Sequence, residues 1–253
     1  VTGVQTCALP IYIQELDAYN LDDAVKFNDQ LNPAIWSGNK MRPEVRTRLL
    51  EIAELFIVAL HIPNFEAKDI VLTGSMCNYN YTKYSDFDLH IIADYNAIDA
   101  SLDIAEQLYN AKKEVWNARH DITIGGFDVE LYVEDLNEPP HSQGVFSVQQ
   151  NKWINTPVYD PPEIDQGAIF SKSKMLAKEI RSTIRHANSP DDFVRLKDKI
   201  KKMRQGGLEK GGEFSVDNLV FKVLRNTGMI EKLYNAENRF TDRDRKSTRL
   251  NSS

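Results

Sequence analysis

The chain has 253 residues, 42% of them hydrophobic and 27% charged, enough apolar material for a sizeable core in one large or two small domains. Its formal charge of -6 excludes a protein that coats nucleic acid over its whole surface, while leaving room for a local basic face. No run of about 18 apolar residues exists, which excludes a spanning helix; two cysteines with neither zinc-ligand spacing nor a disulfide framework fit a reducing compartment, with the cytoplasm the expected location.

Both termini read as foreign to the fold. Residues 1–11 (VTGVQTCALPI) resemble translated sequencing-adapter read-through, and residues 245–253 (RKSTRLNSS) resemble its counterpart at the other edge. On that reading the natural termini are missing and Cys7 does not belong to the protein. From Pro43, the residues Val45, Leu49, Ile52, Ala53, Phe56 and Leu60 recur at helical spacing, with proline near the helix start where its missing N–H costs nothing. Asp69 to Thr73 is short, β-branched and closed by Gly74, a buried strand ending in a tight turn, and a second strand follows over Asp86 to Ala93. Ile98 to Trp116 has helical spacing. Asp121 to Ile124 and Phe127 to Val133 flank Gly125-Gly126, the pattern of a hairpin. Val145 to Ile154 adds one more extended segment before the proline-rich stretch Pro157 to Pro162, where the domain boundary is placed.

Everything beyond reads as helical: Ile169 to Ala187, a helix opened by Ser189-Pro190 and running to about Arg204, and one opened by Ser215. Gly206-Gly207 and Gly228 are the expected stops. The predicted architecture is therefore α+β: a small mixed sheet with flanking helices over residues 12–160, followed by a helical domain over 161–244.

The chemistry is concentrated in Gly74-Ser75 and Ser85-Asp86-Phe87-Asp88-Leu89-His90. In a strand, side chains alternate, so Asp86 and Asp88 share one face while Phe87, Leu89 and Ile91 anchor the other in a core. Two carboxylates held that close repel, a cost that a divalent cation removes; magnesium suits hard carboxylate oxygens completed by water and phosphate. A third acid is needed if two metals are to clamp an in-line phosphoryl displacement. Glu130 and Asp128 both offer it, and Glu130 is favoured because Val129 and Leu131 place it in mid-strand. Gly74 lets backbone N–H groups approach phosphate oxygens, Ser75 adds a hydroxyl, and Lys83 and Ser85 in the following turn are further phosphate-binding candidates.

The combination of a strand, Gly-Ser, a spacer, Asp-x-Asp inside a second strand and a later acid resembles the polymerase-beta-like nucleotidyltransferase superfamily over Asp69 to Val133. LNPAIW at Leu31, GVFS and NKWINTP after Gly144, and GEFSVDNLVFKVLRNTG after Gly212 resemble a phage-associated branch of it. The resemblance implies that Asp86 and Asp88 bind two magnesium ions, with manganese an alternative, and that Glu130 or Asp128 activates the acceptor hydroxyl. It also implies a nucleoside triphosphate donor held by Gly74 and Ser75, and release of pyrophosphate. The acceptor favoured by sequence is an RNA 3′ end, because eleven basic residues against four acids occur between Lys172 and Arg204. A protein side chain, a small molecule or a second nucleotide are the rivals, and a non-catalytic nucleotide- or RNA-binding module is the competing class.

Plainer readings exist for each feature. The acidic pair would otherwise be an ion-pair site for Lys83, Lys112 or Lys113; His90, on the same face, is expected to be a satisfied structural histidine, Cys77 an inert small side chain, and Trp153 a packing residue. The basic helices read equally well as a solvated face.

Overall fold

The computed structural model describes residues 19–97, 101–139 and 142–250; the readings that fall on residues 1–11, Cys7, Ile98 and Pro140 lie outside them. The elements run α1 (Asp22–Val25), β1 (Trp36–Ser37), β2 (Lys40–Met41), α2 (Pro43–Leu60), β3 (Ala67–Thr73), β4 (Phe87–Ala93), α3 (Leu102–Arg119), β5 (Thr123–Ile124), β6 (Phe127–Asp135), β7 (Val145–Ser147), β8 (Lys152–Asn155), α4 (Gln166–His186), α5 (Pro190–Gly211), α6 (Val216–Asn226) and α7 (Met229–Leu250). They divide into two compact units, one spanning Lys26–Pro161 and the other joining the described residues up to Val25 to those from Pro162 onward.

The first unit is built on a six-stranded mixed sheet of order β5-β6-β4-β3-β7-β8. β4 and β6 run parallel, with α3 in the crossover between them, and the other neighbours are antiparallel. α2 forms where the sequence places it: Pro43 opens it, His61 closes it at φ 51°, and the Val45–Leu60 stripe is buried. Leu49 and Phe56 from that stripe share one core with Leu72, Phe87, Leu89, Ile91 and Leu131. Each such side chain contributes about 1.5–3 kcal/mol on burial. This fixes the orientation of β4, because its alternate residues Asp88 and His90 must then face away from the core, half-exposed. Gly125 and Gly126 both have positive φ (60° and 87°), as the predicted hairpin requires. Beyond that hairpin, the Asn117 side-chain amide both accepts from Leu131 N–H and donates to its carbonyl, satisfying ladder groups that two-residue β5 does not reach.

Two expectations need correction in this light. Val145 to Ile154 is a hairpin of β7 and β8 that turns at Asn151 (φ 55°), where the sequence reading had one extended segment. Gly206-Gly207 does not stop α5, which continues to Gly211. A β-carbon on Gly207 would lie 2.7 Å from Asp217 Cβ and 2.8 Å from Ser215 Oγ, so the residue serves close approach between α5 and the start of α6.

The second unit packs α1 and α4–α7 around a separate core that includes Ile180, Phe193, Leu196, Val220, Val223 and Leu233. Ser215 caps α6 by accepting from Asn218 N–H, as its position predicts, and Gly228 (φ 67°) separates α6 from α7. The backbone of α7 stays helical through Leu250, into the segment that the sequence reading set aside. Among the described residues, no helix is long and apolar enough to cross a membrane.

Candidate active site

The parallel register of the sheet assembles the acids. Asp88 pairs with Glu130 across β4 and β6, and with Thr73 across β4 and β3, while Asp86 immediately precedes β4. Asp86, Asp88 and Glu130 are half-buried, and each offers a carboxylate oxygen such that all three atoms lie within 4.8 Å of one another. Unit charges about 4 Å apart repel by about 4 kcal/mol at an effective dielectric near 20, so the cluster is costly without a counter-charge. Three hard oxygen donors on adjacent, core-anchored strands fit a divalent cation such as magnesium. Asp128, the other candidate for the third acid, pairs with Thr123, is exposed, and stands outside this trio.

Gly74 bridges the acids to the loop that follows β3. Its backbone sits at φ 73°, ψ -160°, and a β-carbon there would lie 1.9 Å from Asp88 Oδ2, so glycine is demanded twice over. Ser75 opens a single 3-10 turn, Ser75–Cys77, and its Oγ lies 2.7 Å from Ser85 Oγ, which also accepts from Thr82 N–H. Ser85 thus ties the two halves of the loop together. Lys83 lies in the same turn with its ammonium 5.1 Å from the Tyr84 ring centroid. Gly74 N–H donates to Ser142 Oγ at 3.2 Å, a contact sequence reading missed because Ser142 is remote in the chain.

Behind the acids lies a polar row on the same sheet face. The Tyr132 hydroxyl donates to Glu130 Oε2, and burial pushes its pKa above the ordinary tyrosine value, with the Glu130 hydrogen bond and nearby acids adding to the rise. His90 stacks on Tyr132 (centroids 4.8 Å apart, planes at 16°), with Nε2 3.1 Å from Thr73 Oγ1 and Nδ1 2.9 Å from Glu134 Oε2. His90 is hydrogen-bonded to Thr73 through Nε2, while Nδ1 lies near Glu134 without hydrogen-bond alignment, so only one ring nitrogen meets the expectation of a satisfied histidine. Beside Glu130, a cavity of about 280 Å³ is lined by polar residues that include Asn117, Arg119, His120, Asp121 and Asp128.

The remaining candidates sort cleanly. Cys77 is fully buried, donates to Leu72 O, and burial drives its pKa well above the ordinary thiol value, which makes it inert. Trp153 stacks on Trp36 (4.6 Å) and donates to Asn39 O, so it packs. In the helical unit, Lys172, Arg195, Lys197 and Lys199 form ion pairs with Asp217, Asp192, Glu237 and Glu179. Asp217 and Glu237 lie on helices beyond the window in which the basic excess was counted, and they pair with two of its lysines.

No protein-family model matches the chain, and no curated protein matches its sequence. Two solved structures align with it. One is a STING-associated CdnE c-di-GMP synthase from Capnocytophaga granulosa, at 15% identity over 93% of this chain and 95% of that one, with a TM-score of 0.22. The other is the CdnE cyclic dinucleotide synthase of Elizabethkingia meningoseptica with GTP and Apcpp, at 13% identity over 74% and 82%, with a TM-score of 0.24. Identity and TM-score are low in both cases, and the functional reading is carried by the chain's own residues.

Proposed function

We propose that the chain is a metal-dependent nucleotidyltransferase that moves a nucleoside monophosphate from a nucleoside triphosphate to a hydroxyl, releasing pyrophosphate. The observation that carries this reading is the trio Asp86, Asp88 and Glu130, whose oxygens lie within 4.8 Å of one another, with Asp88 set against Gly74. Asp86, Asp88 and Glu130 would hold the cation, and Glu130 would also take the proton from the acceptor hydroxyl. Gly74 leaves the loop backbone open to the phosphates, and Ser75 supplies a hydroxyl to them. Magnesium, when bound, neutralises charge on the transferring phosphoryl group and favours the ionised acceptor oxygen.

The support for an RNA 3′ end came from the basic helices, and the ion pairs of that unit weaken it. A second nucleotide and the terminal residue of an RNA remain as acceptors. Incubating the protein with labelled nucleoside triphosphates and magnesium, with and without RNA, separates the two. The wild type is expected to release pyrophosphate and the Asp86→Ala and Asp88→Ala variants to release none. Turnover unchanged in both variants would overturn the assignment, and nucleotide binding without label transfer to any acceptor would favour a non-catalytic module.

A further inference from the structure

Glu130 and Tyr132 lie two residues apart on β6 and therefore project from the same face. A glutamate has three side-chain torsions, and strand geometry alone does not set the direction of its carboxylate. Here the Tyr132 hydroxyl donates to Glu130 Oε2, occupying one of the two oxygens. The Tyr132 ring is fixed in turn: His90 stacks on it, lying between Thr73 on β3 and Glu134 on β6, and the Lys113 ammonium lies 4.7 Å from the ring centroid. The donor that meets Glu130 is neutral. A lysine or arginine at position 132 would place a positive charge among three acids and compete with the cation for them, whereas a phenol orients the carboxylate and leaves the negative charge of the trio intact.

We infer that Tyr132 is a positioning residue for the third carboxylate, holding Glu130 turned toward Asp86 and Asp88, and that the Thr73–His90–Glu134 row fixes the Tyr132 ring across three strands. This rests on the nucleotidyltransferase reading only in taking the trio as a cation site. It adds a residue outside the acidic motif on which cation affinity depends.

Tyr132→Phe keeps the ring, its stack and its contact with Lys113 and removes only the hydroxyl. The test measures manganese binding by electron paramagnetic resonance, without nucleotide, for the wild type, Tyr132→Phe, Glu130→Gln and the double variant. Partners that orient metal ligands typically alter affinity by 10–100-fold, so Tyr132→Phe is expected to weaken binding about tenfold. In the Glu130→Gln background the same change is expected to have almost no effect, since the group it orients is already altered. Equal losses in both backgrounds, or no loss in either, would overturn the inference, because a residue that only supports the strand acts whether or not position 130 is a carboxylate. A wild type that binds no manganese removes both this inference and the proposed function. A wild type that binds manganese, shows the coupling and transfers no nucleotide leaves the inference standing and removes the function.

Discussion

Replacing Gly74 by alanine separates two roles that one residue plays. The backbone at φ 73°, ψ -160° belongs to a region almost reserved for glycine, and alanine there costs about 1–3 kcal/mol. That corresponds to about 2–4 °C of melting temperature per kcal/mol for a chain of this size. The added β-carbon would also lie 1.9 Å from Asp88 Oδ2, where an unstrained carbon–oxygen contact needs about 3.3 Å. The carboxylate must therefore withdraw by about 1.4 Å, a shift obtained from that contact distance. A misplacement of about 1 Å at a reacting centre costs about 100-fold in rate, so pyrophosphate release is expected to fall by at least about that factor. Gly125→Ala is the control: its φ is 60°, nothing lies within 4 Å of a β-carbon there, and it carries strain without a clash. Calorimetry should find the larger drop in melting temperature for Gly74→Ala, which adds a clash to its strain, and a pyrophosphate-release assay should find activity lost only in Gly74→Ala. Wild-type turnover in Gly74→Ala would refute the contact between loop and acid as the reason for the glycine.

Two further outcomes follow from the same geometry. In EDTA, Asp88→Asn is expected to melt no lower than the wild type, because one of three clustered charges is gone; magnesium at about 100 times its dissociation constant should then stabilise the wild type by about 2.7 kcal/mol and the variant far less. Equal magnesium shifts in thermal scans would count against the trio as the cation site. In the helical unit, Gly207→Ala should destabilise by about 1–3 kcal/mol through overpacking, whereas Gly206→Ala, with open space around it, should stabilise α5 by up to about 1 kcal/mol. The opposite order in denaturant titrations would show that the close approach of α5 to α6 is misjudged.

Much of the first unit was legible because its signals are local. The stripe from Val45 to Leu60 identifies α2, paired glycines mark the β5–β6 turn, and the alternation of Asp86, Phe87 and Asp88 divides polar from apolar faces. The preference for Glu130 over Asp128 drew on its mid-strand position, and the structure brings Glu130, not Asp128, into the acidic trio. What stayed hidden is long-range. Nothing in the vicinity of Ser142 announces that it meets Gly74, and although alternation puts Tyr132 on the face of Glu130, it does not say that the two side chains bond. Gly207 misleads because glycine locally signals a helix end, whereas here its small size serves a neighbouring helix. The basic excess between Lys172 and Arg204 was counted without two partners for a related reason: Asp217 and Glu237, which pair with two of its lysines, come from helices later in the chain.

The parallel alignment of β4 and β6 also bears on the order in which the protein comes together. β3 and β4 are consecutive strands joined by residues 74–86 and pair as neighbours, so Gly74, Ser75, Asp86 and Asp88 can meet early, from one continuous stretch of chain. Glu130 can join them only after α3 has carried the polypeptide back along the sheet, a non-local closure of the kind that slows folding. A nascent chain that has emerged only as far as β4 therefore carries Gly74, Ser75 and two acids without the third. The acidic trio is therefore complete only once the last parallel strand, β6, has been made.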